Sequence, residues 1–198
     1  MNLILRGHVR GSFKDDALYS LVKSILGVVP ETRIFIHTWN VVQTSLSWRH
    51  MPDDPSRIDE KNVMSYLREA SSSVARIVVE DDTAIAVPGR SSGTVASTPC
   101  PTRGYKLMFY GMMRGAEMVA EERPADEHVV QTRFDILSNF AKMDHDRILR
   151  FLDDRPEEGE PIRFLIRPGS NKIERDLRFD RWRRHGSEYE PHWTLGVE

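Results

Sequence analysis

The sequence has only one cysteine, Cys100, among its 198 residues. A single cysteine cannot form a disulfide within the chain, so a reducing compartment is the simplest fit and we predict a cytoplasmic protein. No apolar run approaches the roughly 20 residues that a membrane span requires. The first apolar segment also follows no charged leader with a cleavage site. We therefore predict no transmembrane segment.

The sequence also lacks an excess of charge of either sign. Its formal net charge is −2, from 28 Lys and Arg against 30 Asp and Glu. A chain without a strong positive field is a poor match for the nucleic-acid backbone, so we expect no nucleic acid partner. Three signatures are missing as well: the phosphate loop, Gly-x-Gly-x-x-Gly and His-Glu-x-x-His.

What the sequence does contain is a regular alternation of strand and helix patterns. Apolar periodicity predicts strands at 2–7, 33–39, 76–82 and 128–137, and helices at 17–26, 58–70 and 105–122. Polar stretches at 41–55 and 88–104 predict loops, the second of a length typical of binding loops. We predict an α/β fold with a mostly parallel or mixed sheet flanked by helices. The pattern fits one domain over 1–198, or a domain cut from a longer protein.

Polar residues stand at the ends of all four predicted strands. They are Arg6-Gly7-His8-Val9-Arg10-Gly11, His37-Thr38-Trp39-Asn40, Glu80-Asp81-Asp82 and Arg133-Phe134-Asp135. In a parallel sheet these ends share one edge, where open α/β folds bind their ligands. We predict that Asp135 is the functional centre; the alternative is an aspartate that caps the following turn.

The residue types at these ends suit an anionic ligand. Arginines at positions 6 and 10 flank a turn with glycines, which lets backbone amides and guanidiniums approach a phosphate; the alternative is a turn with solvated arginines. The acidic run Glu80-Asp81-Asp82 suits a ribose or a divalent cation, or it is a solvated turn. Hard oxygen ligands favour Mg²⁺ or Mn²⁺ over zinc. We do not expect Cys100 to be a nucleophile, because no histidine is close to it in sequence.

Two segments carry a resemblance to a known family: Phe35-Ile36-His37-Thr38-Trp39-Asn40 and Thr132-Arg133-Phe134-Asp135. Together with the opening Arg-Gly-His turn, the order of elements over about residues 2–140 resembles small GT-A-type glycosyltransferases of bacterial capsule and lipopolysaccharide loci and of large DNA viruses. Such enzymes bind a nucleotide-sugar donor, and their Asp-x-Asp motif holds manganese or magnesium against the diphosphate. Here Arg133 stands where the first aspartate would be.

The resemblance implies a set of roles. It implies Mn²⁺ or Mg²⁺ as cofactor, Asp135 as metal ligand, and nucleotide binding by Arg6, Gly7, His8, Arg10, Thr38, Asp82 and Arg133. Either Asp135 holds the ion with help from the diphosphate and waters, or Arg133 takes over part of the ion's electrostatic role, or the acids at 80–82 meet the metal. An inverting enzyme would need a carboxylate base, for which Asp153 and Asp154 are candidates; a retaining enzyme would not.

The resemblance thus predicts a glycosyltransferase of polysaccharide biosynthesis. Its donor would be a UDP- or GDP-sugar, and its acceptor a glycan or a lipid-linked molecule. One alternative is a nucleotidyltransferase on a similar sheet. Another is a non-catalytic carbohydrate-binding domain that uses its tryptophans, Trp39, Trp48, Trp182 and Trp193, as stacking surfaces.

Overall fold

A computed structural model describes residues 1–46, 51–95, 99–122 and 129–139. All of these residues belong to the first of two compact units, 1–141 and 142–198, into which the chain divides. The strands are β1 (Asn2–Arg6), β2 (Arg33–Trp39), β3 (Val41–Gln43), β4 (Asp54–Arg57), β5 (Val74–Glu80) and β6 (Val129–Arg133). The helices are α1 (Ala17–Val28), α2 (Glu60–Leu67), α3 (Thr102–Glu122) and α4 (Ile136–Asn139), with 3₁₀ helices at Arg10–Phe13 and Arg68–Ser73.

The main sheet has four parallel strands in the order β5-β2-β1-β6. This confirms the predicted α/β class and the parallel sheet flanked by helices. The order matches the first four strands of a Rossmann-like fold, in which the chain reverses its direction across the sheet next to the first strand. Strands β1 and β2 are buried along nearly their whole length, which explains their continuous apolar sequences.

Helix α3 packs very closely against one face of the sheet because glycines form part of its contact surface. A Cβ atom on Gly115 would lie 2.6 Å from Cγ2 of Ile4, and one on Gly111 would lie 3.2 Å from Nδ1 of His37. Met118 and Val119 of the same helix join Ile4 and Phe35 in a buried cluster. Right-handed crossovers place α1 on the opposite face, because the chain crosses the sheet in opposite directions before and after β5.

Several predicted boundaries differ from the structure. The strand predicted at 128–137 ends at Arg133, and Phe134 turns inward instead, 1% exposed, with its amide donating to the carbonyl of Arg6 at 3.3 Å. The stretch 41–55, predicted to be a loop, contains β3 and the start of β4, which pair antiparallel. The sequence of β4, Asp-Pro-Ser-Arg, has no apolar alternation that could have shown it.

The helical predictions hold with shifted ends. The helix predicted at 58–70 stops at Leu67 and continues as the 3₁₀ helix, while α3 begins at Thr102 rather than 105. No helix among the described residues is both long enough and apolar enough to cross a membrane. Two further apolar runs, 148–152 and 162–166, for which the sequence allows strands, lie outside the described residues.

Candidate functional site

A cavity of about 460 Å³ opens where the carboxyl ends of β1 and β6 meet. This is the point at which the strand order reverses, the usual ligand site of open α/β sheets. Residues from the ends of β1, β2 and β6 and from the segment after β5 line it, so the structure brings the polar strand ends to one edge as predicted. Its wall comprises Arg6, Gly7, His8, Arg10, Trp39, Thr44, Leu46, Asp82, Val95, Pro99, Cys100, Gly104, Tyr105, Leu107, Met108, Gly111 and Arg133.

One side of the cavity is formed by what we call the arginine cluster: Arg6, Arg10, Arg133 and Asp135. Nε and Nη2 of Arg133 donate to the two oxygens of Asp135 at 2.7 and 2.8 Å, and Nη1 of Arg10 donates to Oδ2 at 2.8 Å. Asp135 is 1% exposed and lies behind the wall that the three arginines form. Its carboxylate therefore positions two of the arginines that line the cavity and does not itself form part of the wall.

Local backbone geometry brings Arg10 to this carboxylate. Arg10 adopts a left-handed conformation with φ of 51°, which is uncommon for a residue other than glycine. The 3₁₀ helix that begins there is anchored by Ser12, whose buried Oγ donates to the carbonyl of Phe134 at 2.8 Å. Such backbone strain persists only where surrounding contacts enforce it, and the ion pair with Asp135 is one of these contacts.

Arg6 differs from Arg10 and Arg133 because it forms no ion pair with a carboxylate among the described residues. Its side chain donates no hydrogen bond to any described residue, and its Nε is buried. In the sheet register it lies between His37 on β2 and Arg133 on β6. Burial and the charge of Arg133 lower the pKa of Arg6 to about 10, whereas Asp135 raises it. Arg6 is thus still protonated at neutral pH.

The arginine cluster consequently carries an excess of positive charge. Three guanidiniums surround one carboxylate, and Arg6 forms no ion pair with a described carboxylate. Uncompensated charge beside a cavity is costly unless a ligand or solvent meets it. An anion is the ligand that this arrangement suits.

A second polar group lies on the cavity wall and contains an acid. Nε2 of His8 is 3.6 Å from Oδ2 of Asp82, and Oγ1 of Thr44 donates to the same oxygen at 3.3 Å. Burial lowers the pKa of His8 although Asp82 raises it, so this histidine is neutral at pH 7. Arg103 at the start of α3 holds the main chain of Asp82 in place, because its Nη2 donates to the main-chain carbonyl of Asp82 at 2.5 Å.

The rest of the wall is largely apolar. It includes Leu107 and Met108 of α3, together with Tyr105, which is 40% exposed. The sequence predicts Met108 to be a packing residue, and it assigns no role to Tyr105 or Thr44. Because Tyr105 directly follows the predicted binding loop, its position in the sequence could have indicated that it lies close to the ligand. A cavity with one charged side and one apolar side suits a ligand with both characters.

The ends of β2 and β5 form a separate polar group, which we call the histidine cluster: His37, Glu80, Tyr110 and Arg114. Nε2 of His37 lies 2.8 Å from Oε2 of Glu80, and the hydroxyl of Tyr110 donates to Oε1 at 3.1 Å. Nε of Arg114 is 3.9 Å from Oε2. Burial lowers the pKa of His37, which is 0% exposed. This cluster lies behind the cavity wall.

Thr38 likewise lies away from the predicted ligand. It is 0% exposed, and its Oγ1 donates to the carbonyl of Gly7 at 2.9 Å, so it fixes the turn after β1. Gly7 itself, with φ of 88°, lines the cavity, and its predicted contact with a nucleotide stays a prediction.

The residues around Asp135 do not suit a divalent metal ion. Both carboxylate oxygens already accept hydrogen bonds from arginines, and three guanidiniums would repel a cation. Among the described residues, no group of three or more His, Cys, Asp and Glu side chains is arranged to hold a metal. Metal binding by Asp135 stays a prediction, one that these contacts do not favour. The candidate bases Asp153 and Asp154 lie outside the described residues, as do Trp48, Trp182 and Trp193.

Comparison of the chain with models of protein families, with curated proteins and with solved structures finds no match in any of the three. The cavity and the residues that form it are therefore the features that point to a function.

Proposed function

We propose that this protein is a glycosyltransferase with a GT-A-like fold. It binds a nucleoside diphosphate sugar in the cavity and transfers the sugar to a glycan or a lipid-linked acceptor. The observation that carries the proposal is the pair of neighbouring guanidiniums of Arg6 and Arg133 on the cavity wall, at the reversal point of a parallel sheet, where Arg6 forms no ion pair with a described carboxylate. The resemblance of the residues after β2 and around β6 to such enzymes supports the same choice.

The cavity offers a complementary surface to each part of such a donor. The diphosphate suits the guanidiniums of Arg6 and Arg133. The base suits the apolar side with Leu107 and Met108, and the ribose hydroxyls suit the carboxylate of Asp82. As the bond to the sugar breaks, negative charge develops on the leaving diphosphate, and fixed guanidiniums stabilise that charge.

Two alternatives remain open to test. A nucleotidyltransferase would use the same anion site but would release pyrophosphate from a nucleoside triphosphate. A carbohydrate-binding domain is less well supported, because Trp39 is 3% exposed and stacks on Tyr110, with centroids 6.1 Å apart. Although Trp39 belongs to the cavity wall, nearly all of its ring is buried in this packing and little of it is exposed to a sugar.

Thermal shift measurements with sugar nucleotides, combined with an assay for released nucleoside diphosphate, test the proposal. A ligand at 100 times its dissociation constant should stabilise the chain by about 2.7 kcal/mol. We expect one class of UDP- or GDP-sugar to give such a shift and to be turned over when an acceptor is supplied. Pyrophosphate release from a nucleoside triphosphate would instead identify a nucleotidyltransferase. No shift with any sugar nucleotide would contradict the proposal.

A pair of matched variants shows whether the signal comes from the cavity. Arg6→Gln removes a cavity guanidinium, whereas Arg76→Gln removes one that pairs with Glu121 on the surface, outside the cavity wall. We expect the shift to disappear in the first variant and to persist in the second. Equal loss in both would show that the ligand does not bind in the cavity.

A further inference from the structure

We infer that the arginine cluster binds a diphosphate group directly, without a divalent cation between protein and ligand. Arg6 and Arg133 contact the phosphate oxygens, and Asp135 is a positioning residue that holds Arg10 and Arg133 in place. The inference deepens the proposed function and rests on it only for the identity of the complete ligand.

The first support is the engagement of Asp135. A carboxylate that ligates a metal needs a free oxygen directed at the ion, yet both oxygens of Asp135 accept from guanidiniums at 2.7 to 2.8 Å. A cation could reach this carboxylate only by displacing a bidentate, charge-assisted pair. It would also have to approach three positive groups.

The second support is the charge of Arg6. Its guanidinium is protonated at neutral pH and forms no ion pair with a described carboxylate. The diphosphate of a sugar nucleotide has one negative charge on each of its two phosphates. Arg6 and Arg133 can therefore each meet one phosphate without a cation between them.

The third support is the placement of the two guanidiniums. Arg6 and Arg133 are direct partners in the register of β1 and β6, so their side chains leave the sheet on the same face. Neighbouring strands lie about 4.8 Å apart, a spacing that lets two adjacent arginines reach two adjacent phosphates. Arg133 uses two of its five N–H donors to bind Asp135, so the others can donate to a phosphate. Nε of Arg6 is buried without an acceptor.

Isothermal titration calorimetry on the full chain tests this inference. The ligands are inorganic pyrophosphate, inorganic phosphate and UDP, each titrated in EDTA, with UDP titrated again in Mn²⁺ and Mn²⁺ titrated alone. We expect pyrophosphate and UDP to bind in EDTA, and UDP to bind equally well in Mn²⁺. We also expect phosphate to bind more weakly and Mn²⁺ alone to give no binding heat.

Three results would overturn the inference. They are binding of UDP only when Mn²⁺ is present, absence of pyrophosphate binding in EDTA, and phosphate binding as tight as that of pyrophosphate. The proposed function fails separately. If pyrophosphate and UDP bind in EDTA but no sugar nucleotide is turned over, the anion site stands and glycosyl transfer does not.

Variants connect the binding to Arg6. Arg6→Gln should weaken pyrophosphate binding about tenfold to a hundredfold, the range expected for losing a charged hydrogen bond. Arg6→Lys keeps the charge but loses the planar fork, so its loss should be smaller. Arg76→Gln should bind like the unmodified chain. Circular dichroism confirms folding of each variant, and unchanged affinity in folded Arg6→Gln would overturn the inference.

Discussion

The arginine cluster and the histidine cluster lie at the same edge of one sheet, yet they differ in charge and exposure to the cavity. In the histidine cluster, the carboxylate of Glu80 meets a histidine, a hydroxyl and a guanidinium, and Arg114 has a second carboxylate in Glu117 at 2.6 Å. In the arginine cluster, three guanidiniums share Asp135. Of the two, only the arginine cluster contributes side chains to the cavity wall.

The difference shows how a structural polar network can be distinguished from a binding site. Both clusters contain buried, hydrogen-bonded ionisable groups with shifted pKa values, so neither feature separates them. The balance of charge separates them. In the histidine cluster the one guanidinium meets two carboxylates, whereas in the arginine cluster Arg6 forms no ion pair with a described carboxylate and would be stabilised by an anion in the cavity.

The largest effect should follow neutralisation of the carboxylate in the arginine cluster. Asp135→Asn leaves three guanidiniums together, and loss of one partner from a buried ion pair costs about 3–5 kcal/mol. We expect chemical denaturation to show that loss in the free energy of unfolding. Added sulfate should restore more stability to this variant than to the unmodified chain. Unchanged stability would mean that Asp135 does not hold the cluster together.

The matched change in the histidine cluster should lower the free energy of unfolding by less and should not change ligand binding. Glu80→Gln keeps one oxygen acceptor but weakens the contacts to His37 and Tyr110. We expect the free energy of unfolding to fall by about 1–3 kcal/mol. Because Glu80 lies behind the cavity wall, pyrophosphate affinity measured by calorimetry should not change. A large change in affinity would show that the two clusters act as one site.

The histidine cluster should also make stability depend on pH. Burial lowers the folded pKa of His37 below its ordinary value of 6.5, so below that pH the unfolded chain binds more protons than the folded chain. Stability should therefore be highest above pH 6.5 and fall as the pH drops, by up to about 1.4 kcal/mol per pH unit for each such histidine. His8, also with a lowered pKa, adds to the same slope.

Urea denaturation between neutral and mildly acidic pH measures this slope, and His37→Gln serves as its control. The variant cannot titrate at this position, so its slope should be shallower. An identical slope in both proteins would remove His37 from the explanation.

The smallest effect should come from the hydrogen bond that anchors the turn of Arg10. Ser12→Ala removes the donor to the carbonyl of Phe134, with an expected loss of about 1 kcal/mol in the free energy of unfolding. If the turn positions Arg10 in the arginine cluster, pyrophosphate affinity should fall modestly as well. A stability loss without any change in affinity would show that Asp135 alone positions Arg10.

The sequence predicts the sheet well because its strands are short, apolar and separated by helices with clear periodicity. It also predicts that polar strand ends meet, since that follows from parallel strands alone. It does not show that Asp135 lies behind its arginines, because a strand pattern cannot show where the chain turns. The inward turn at Phe134, buried near Phe13 at 5.9 Å between centroids, depends on packing between distant segments.

Charge balance was equally hidden from the sequence. Arg6, Arg10 and Arg133 are separated by up to 127 positions, so the sequence does not show that they surround one carboxylate. Only the fold shows that Glu80 belongs to the histidine cluster while Asp82 faces the cavity. The sequence did indicate the right residue types, and the structure assigned them to different partners.

Gly104, in the first turn of α3, has a consequence for the size of the cavity. A methyl group there would sit 2.4 Å from the carbonyl oxygen of Leu46, so the segment after β3 would have to move away from the helix. Both residues belong to the cavity wall. The missing methyl group thus lets these two parts of the wall lie in direct contact, and alanine at this position would force them apart.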